Sequence, residues 1–190
     1  MPGPEPAGAR RPARSLGCFV VGSSVRVVHI GRDDWRELRA LRLEMLRDTP
    51  VAYLETVQGA EALGPGEWSF RAARCEHPGS LGVAAVEDET GQWVGTMSAH
   101  LAGPAVANLV TVYVTPAHRG TGVADLLLDS VVSWAAQQDD VRTLALLVHE
   151  QNGRAAAFYA RRGFRASGRS EPYPLDPSQR DLEMVLPIVG

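Results

Sequence analysis

The stretch VYVTPAHRGTGVA, Val112 to Ala124, decides how this chain reads. It begins with β-branched and aromatic residues that suit a strand, meets Pro116, turns through Gly120 and Gly122, and resumes with apolar residues at helical spacing. Two glycines one residue apart carry no Cβ, so the backbone can turn tightly and its N–H groups can converge on an anion. The helix that opens there adds the positive end of its dipole. A pyrophosphate fits such a cradle. The commoner phosphate loops do not match: a Walker loop ends in Gly-Lys-Ser/Thr and the chain has no lysine, while a dinucleotide fingerprint needs G-x-G-x-x-G. Here Arg119 precedes the turn and Ala124 closes it.

Downstream of the turn, Val123, Leu127, Val131 and Trp134 fall on one helix face that ends near Gln138. Leu144 to Val148 is almost wholly apolar, which predicts a strand covered on both faces. Arg154 to Arg162 reads as a short helix ended by Gly163, Phe164 to Ala166 opens another strand, and Leu182 to Ile188 is the last. Between them, Glu171 to Arg180 is rich in proline and polar residues and reads as a loop. Upstream, Leu81 to Val86 and Gln92 to Leu101 form a hairpin, and Leu109 to Val114 adds a third strand to the meander. Val25 to Ile30 is a first strand, and Asp33 caps a helix whose apolar face takes Trp35, Leu38, Leu41 and Met45. Val51 to Leu63 connects to a short helix over Glu67 to Cys75. This order predicts one α+β domain: a mixed, mostly antiparallel sheet of six to seven strands with helices on both faces.

Composition bounds the remainder. The chain has 190 residues, 45% of them hydrophobic and 22% charged, so it suits one globular unit with a sizeable core. A formal charge of -3 and no interleaving of basic with aromatic residues argue against nucleic acid as a partner. The two cysteines, Cys18 and Cys75, lie in no CxxC, and no spacing links the histidines as metal ligands, so no metal is expected. No run approaches the roughly 20 apolar residues of a membrane span, and the expected location is cytoplasmic. Met1 to Ser24, rich in Pro, Gly, Ala and Arg, reads as a poorly ordered extension, leaving residues 25–190 for the domain.

A second motif lies about 30 residues beyond the first. Asn152, Ala155, Phe158, Tyr159, Gly163 and Phe164 form N-x-x-A-x-x-F-Y-x-x-x-G-F. Together with Arg119, Gly122 and Ala124, which match Arg/Gln-x-x-Gly-x-Gly/Ala, the chain resembles the GCN5-related N-acetyltransferase (GNAT) superfamily. The resemblance covers Val25 to Ile188 and implies acetyl-CoA as co-substrate. It implies that the backbone around Val112, Tyr113 and Val114 meets the pantetheine arm and the acetyl carbonyl. The segment Arg119, Gly120, Thr121, Gly122, Val123, Ala124 and Asp125 would hold the pyrophosphate. Asn152 would bond the pantetheine, and Tyr159 would protonate the leaving thiolate, a role suited to a phenol that is neutral at pH 7.

The implied reaction is attack of a neutral primary amine, on a small molecule or a peptide, at the thioester carbonyl. Two positions depart from the family pattern. Asn108 stands where many members have a Glu, and Asp125 places a carboxylate beside the phosphates. The base is therefore open among Glu55, Glu150, His149 and relayed water. Asn108 also keeps open a non-catalytic acyl-CoA-binding or regulatory domain, and a nucleotide-binding regulator is a third reading. Tyr53, Glu55 and Glu171 are the candidate acceptor residues. A homodimer through the last strands is implied by resemblance alone.

Overall fold

The computed structural model describes residues 16–18, 24–50 and 53–188, with side chains from residue 24 onward. Eight strands form one sheet in the order β1-β2-β3-β4-β5-β6-β8-β7. They are β1 (Leu16–Cys18), β2 (Val25–His29), β3 (Ser80–Glu87), β4 (Trp93–Gly103), β5 (Val106–Val114), β6 (Thr143–His149), β7 (Arg165–Tyr173) and β8 (Asp176–Pro187). Every neighbouring pair is antiparallel except β5 and β6. The mostly antiparallel α+β sheet expected from the sequence is present, with eight strands among the described residues where six to seven were expected. Strand β1 pairs with β2 inside the stretch Met1 to Ser24 expected to be a tail; apart from β1 and Ser24, that stretch lies outside the described residues.

Helices α4 (Val123–Ala136) and α5 (Gly153–Arg161) pack on one face of the sheet. Val123, Leu127, Leu128 and Val131 are sealed there against Val83, Leu144, Leu146 and Val148. Each fully buried aliphatic contributes about 1.5–3 kcal/mol by leaving water. Helices α1 (Trp35–Asp48) and α3 (Pro65–Ala73) cover the β2–β5 end of the other face, where Leu41 and Met45 pack on Tyr113, and Ile30 and Ala72 on Ala84. The short α2 (Val57–Glu61), capped by Thr56 accepting from Gly59 N–H, bridges them. The carboxylate that bonds the N-terminal turn before α1 belongs to Asp34, which accepts from Gly31 N–H, not to Asp33.

Two expectations are corrected. The stretch Glu171 to Arg180 is no loop: β7 and β8 pair across it with only Pro174 and Leu175 between them. Pro172 is accommodated because β7 is an edge strand, where a missing N–H costs no ladder bond. Strand β6 is not covered on both faces, since Leu147 is 49% exposed. Its parallel partner β5 pairs only over Val106 to Asn108 with Thr143 to Ala145, and beyond that point the strands part.

Candidate active site

The parting of β5 and β6 opens a cleft of about 1190 Å³ that runs from the start of α4 to the β7–β8 hairpin. Its β5 wall is irregular. The β4–β5 register slips between Thr96/Tyr113 and Ser98/Val110, and Thr111 sits at φ 55. A β-branched residue at positive φ is strained, and such bulges re-aim backbone groups beside functional sites. Val112 and Val114 turn their side chains to the core, while Tyr113 anchors α1 through its contacts with Leu41 and Met45 and a 3.3 Å bond to Glu44. The Val112 carbonyl accepts from the Tyr53 hydroxyl at 2.7 Å, and the Val114 carbonyl from Arg119 Nε at 3.1 Å. Asn108 lines the cleft at the last paired position.

At the α4 end the glycine turn has the geometry its sequence asks for. Gly120 has φ 79 and Gly122, the N-cap, has φ 92. No neighbour lies within 4 Å of a Cβ built on either, so backbone conformation rather than crowding demands glycine. Among the described residues the N–H groups of 120–124 find no acceptor, whereas Asp125 N–H bonds the Gly122 carbonyl. These free amides and the helix dipole suit a pyrophosphate. Thr121 Oγ1 donates to the His118 carbonyl and braces the turn. The Asp125 carboxylate is matched by Arg161 at 3.2 Å and Arg162 at 3.1 Å, with Arg162 also paired to Asp129, so its charge does not stand bare beside the turn. Arg119 braces rather than faces this cradle: its guanidinium pairs with Asp48 and lies 5.8 Å over the Tyr113 ring.

Asn152 caps α5, its Oδ1 accepting from Ala155 N–H at 3.2 Å, and it lines the cleft. The cap occupies the carbonyl oxygen and leaves the amide nitrogen as donor. Tyr159 follows on the same helix, 5% exposed, packed edge-on against Phe158 and tilted against Phe164. It lines the cleft. Burial, reinforced by Tyr53, pushes its pKa well above the ordinary value of 10.0. The phenol is therefore held protonated.

The far end of the cleft sorts the remaining candidates. Tyr53 and Glu171 line it. Glu55 stands apart in a neighbouring pocket of about 470 Å³, its two oxygens taken by Arg42 at 2.9 Å and Arg71 at 2.8 Å. Burial alone would raise its pKa, but those hydrogen bonds prevail and hold it below the usual range. Glu150 lies outside the cleft lining and accepts from Arg180 N–H at 2.9 Å. His149 does line the cleft, but its Nδ1 accepts from Gln151 N–H at 3.3 Å, which leaves the proton of the neutral ring on Nε2. None of the three is a free base.

Sequence reasoning passed over several cleft residues: Thr111 at the bulge, Arg154, and Tyr173, Asp181 and Glu183 on the terminal hairpin. Only strand register could have placed the last two. Asp181 pairs across β8 with both His149 and Glu171, and Glu183 pairs with Leu147.

The fold and the family recur among known proteins. The family model for the acetyltransferase (GNAT) family matches residues 38–164. The chain is 38% identical over 69 residues to peptidyl-lysine N-acetyltransferase YjaB of Escherichia coli (strain K12), a match over 33% of this chain and 43% of that protein's length. A GNAT acetyltransferase from Streptococcus pneumoniae superposes with a TM-score of 0.75 at 17% identity, over 87% of this chain and 100% of that one. The PaiA N-acetyltransferase of Thermoplasma acidophilum, solved with coenzyme A, gives 0.70 at 17% identity over 86% and 99%. The ribosomal-protein-S5-alanine acetyltransferase of Vibrio fischeri gives 0.76 at 12% identity over 92% and 96%. The chain belongs to the acetyltransferase (GNAT) family, as its two motifs implied. Among the described residues no helix is long and apolar enough to cross a membrane.

Proposed function

We propose that this chain transfers the acetyl group of acetyl-CoA to a primary amine by direct attack. The observation that carries the reading is the row of unpaired N–H groups at 120–124, at one end of a cleft that Tyr159 also lines. The amides and the α4 dipole hold the pyrophosphate, and Asn152 donates its side-chain amide to the pantetheine arm. The Val112 backbone at the bulge stabilises the oxyanion, its carbonyl being already taken by Tyr53.

A neutral amine nitrogen forms the new bond to the carbonyl carbon, and the tetrahedral intermediate collapses with cleavage of the C–S bond. Tyr159 gives its proton to the departing sulfur and regains one from solvent, while the surplus amine proton leaves to water. A phenol kept neutral by burial suits the acid role.

The test is thiol release from acetyl-CoA over a panel of primary amines, with the Tyr159→Phe variant in parallel. Turnover by the wild type and a fall in kcat without loss of CoA binding in the variant support the reading. CoA binding with no turnover on any amine supports instead a non-catalytic acyl-CoA-binding domain.

A further inference from the structure

The cleft is electrically divided along its length. At the turn end the lining charges are largely matched, Arg119 by Asp48 and Arg161 by Asp125, with Arg154 beside them, whereas Glu171, Asp181 and Glu183 line the half formed by β6, β8 and β7. Register puts these carboxylates on one face: Asp181 lies between His149 and Glu171, and Glu183 follows two residues along β8, about 7 Å away. None of the three forms an ion pair among the described residues.

Two further atoms at this end await a partner. His149 and Tyr173 are each 5% exposed and pack edge-on at 4.7 Å, and both line the cleft. His149 Nε2 and the Tyr173 hydroxyl are sealed with no hydrogen bond among the described residues. Buried polar atoms in native proteins are rarely left unpaired, and of these two the Tyr173 hydroxyl oxygen can accept from a cation, whereas His149 Nε2–H is a donor that suits a neighbouring carboxylate. Burial raises the Asp181 pKa despite the nearby His149. Leading to this wall from the bulge, Leu54, Val110 and Leu147 are 60%, 38% and 49% exposed, an apolar floor under a polar end.

From this arrangement we infer that the acceptor is a small aliphatic diamine. One amine reaches the thioester while its second, non-reacting ammonium sits among Asp181, Glu183 and Glu171, with the alkyl chain lying on Leu147 and Val110. The Tyr173 hydroxyl supplies a neutral acceptor to the same ammonium. This substrate class rests on the acetyl-transfer reading above.

The experiment compares diaminobutane, butylamine and an α-acetylated lysyl-arginine dipeptide as acceptors, by thiol release from acetyl-CoA. The diamine is expected to show a KM about tenfold or more below that of butylamine, the value of one charge-assisted contact. Asp181→Asn and Glu183→Gln should each raise the diamine KM about tenfold, and added salt should raise it further, whereas Glu89→Gln, an exposed turn carboxylate, should change nothing. Equal KM values for diamine and monoamine, or a diamine KM indifferent to both substitutions, overturn the proposal. Preference for the dipeptide overturns it in favour of a basic peptide. If no amine turns over, calorimetric titration of diaminobutane into the CoA-saturated protein separates the two claims. Heat lost in Asp181→Asn and Glu183→Gln keeps the cation site and sinks acetyl transfer; no heat in the wild type sinks the cation site.

Discussion

The hydroxyl of Tyr53 donates to the main-chain carbonyl of Val112 at 2.7 Å, tying the segment after α1 to the strained turn of β5. Both residues line the cleft, and the Tyr53 phenol, its pKa raised to about 12 by burial, is a donor at any working pH. Tyr53→Phe leaves that carbonyl without its partner. The expected result is a loss of about 1–2 kcal/mol in stability and about a tenfold fall in kcat/KM for the amine, because the bulge that aims the Val112 amide loosens. Thermal unfolding and steady-state kinetics on the variant check both numbers.

Gly122→Ala asks an L-residue to hold φ 92. Since a Cβ there touches nothing within 4 Å, the cost is conformational, about 1–2 kcal/mol, and relaxes by rotating the turn. Calorimetry should find CoA bound about tenfold more weakly, with the unfolding temperature lowered by only about 2–8 °C.

Tyr159→Phe removes the acid while keeping the ring contacts with Phe158 and Phe164. The expected kcat is lower by about a hundredfold, with the CoA Kd moved by less than about threefold. The pH dependence has a definite sign. The working form is the neutral phenol, and its pKa lies above the ordinary 10.0. Rate is therefore retained through pH 10, and any alkaline loss from this group comes only above it. A kcat profile that falls between pH 8 and 9 and flattens in the variant contradicts the assignment.

Glu55→Gln tests the separation of Glu55 from the cleft. Its ion pairs with Arg42 and Arg71 involve side chains only 16%, 18% and 32% exposed, so the substitution should cost about 1–3 kcal/mol of stability with the amine KM unchanged. The folded carboxyl lies below its ordinary pKa of 4.5, so its contribution is present above that value and fades as pH falls through the folded pKa. Denaturant unfolding of both proteins at neutral pH and in acid should show the gap closing in acid.

What the sequence revealed and what it hid divide along a physical line. Gly120, Gly122 and Asn152 were legible because each answers a local demand, a positive φ or a helix cap, that few residues can meet. The order of elements was legible because period and turn chemistry are local as well. The strained Thr111 was not, since a β-branched residue argues against the conformation it adopts. The β7–β8 hairpin was masked by Pro172, Pro174 and Pro177, which composition reads as a loop; Pro172 sits on the edge strand, Pro174 in the turn, and Pro177 in the part of β8 that runs beyond its pairing with β6. The acidic wall depends on register across three strands, and spacing along one strand says nothing of what lies opposite.

The central claim is that the turn from Gly120 to Ala124 seats the pyrophosphate of CoA, and calorimetric titration tests it most directly. Wild-type protein is predicted to bind CoA, to bind pantetheine, which lacks the pyrophosphate, at least about a hundredfold more weakly, and to bind ATP weakly or not at all. Pantetheine binding as tight as CoA, or ATP binding in preference to it, would contradict the account.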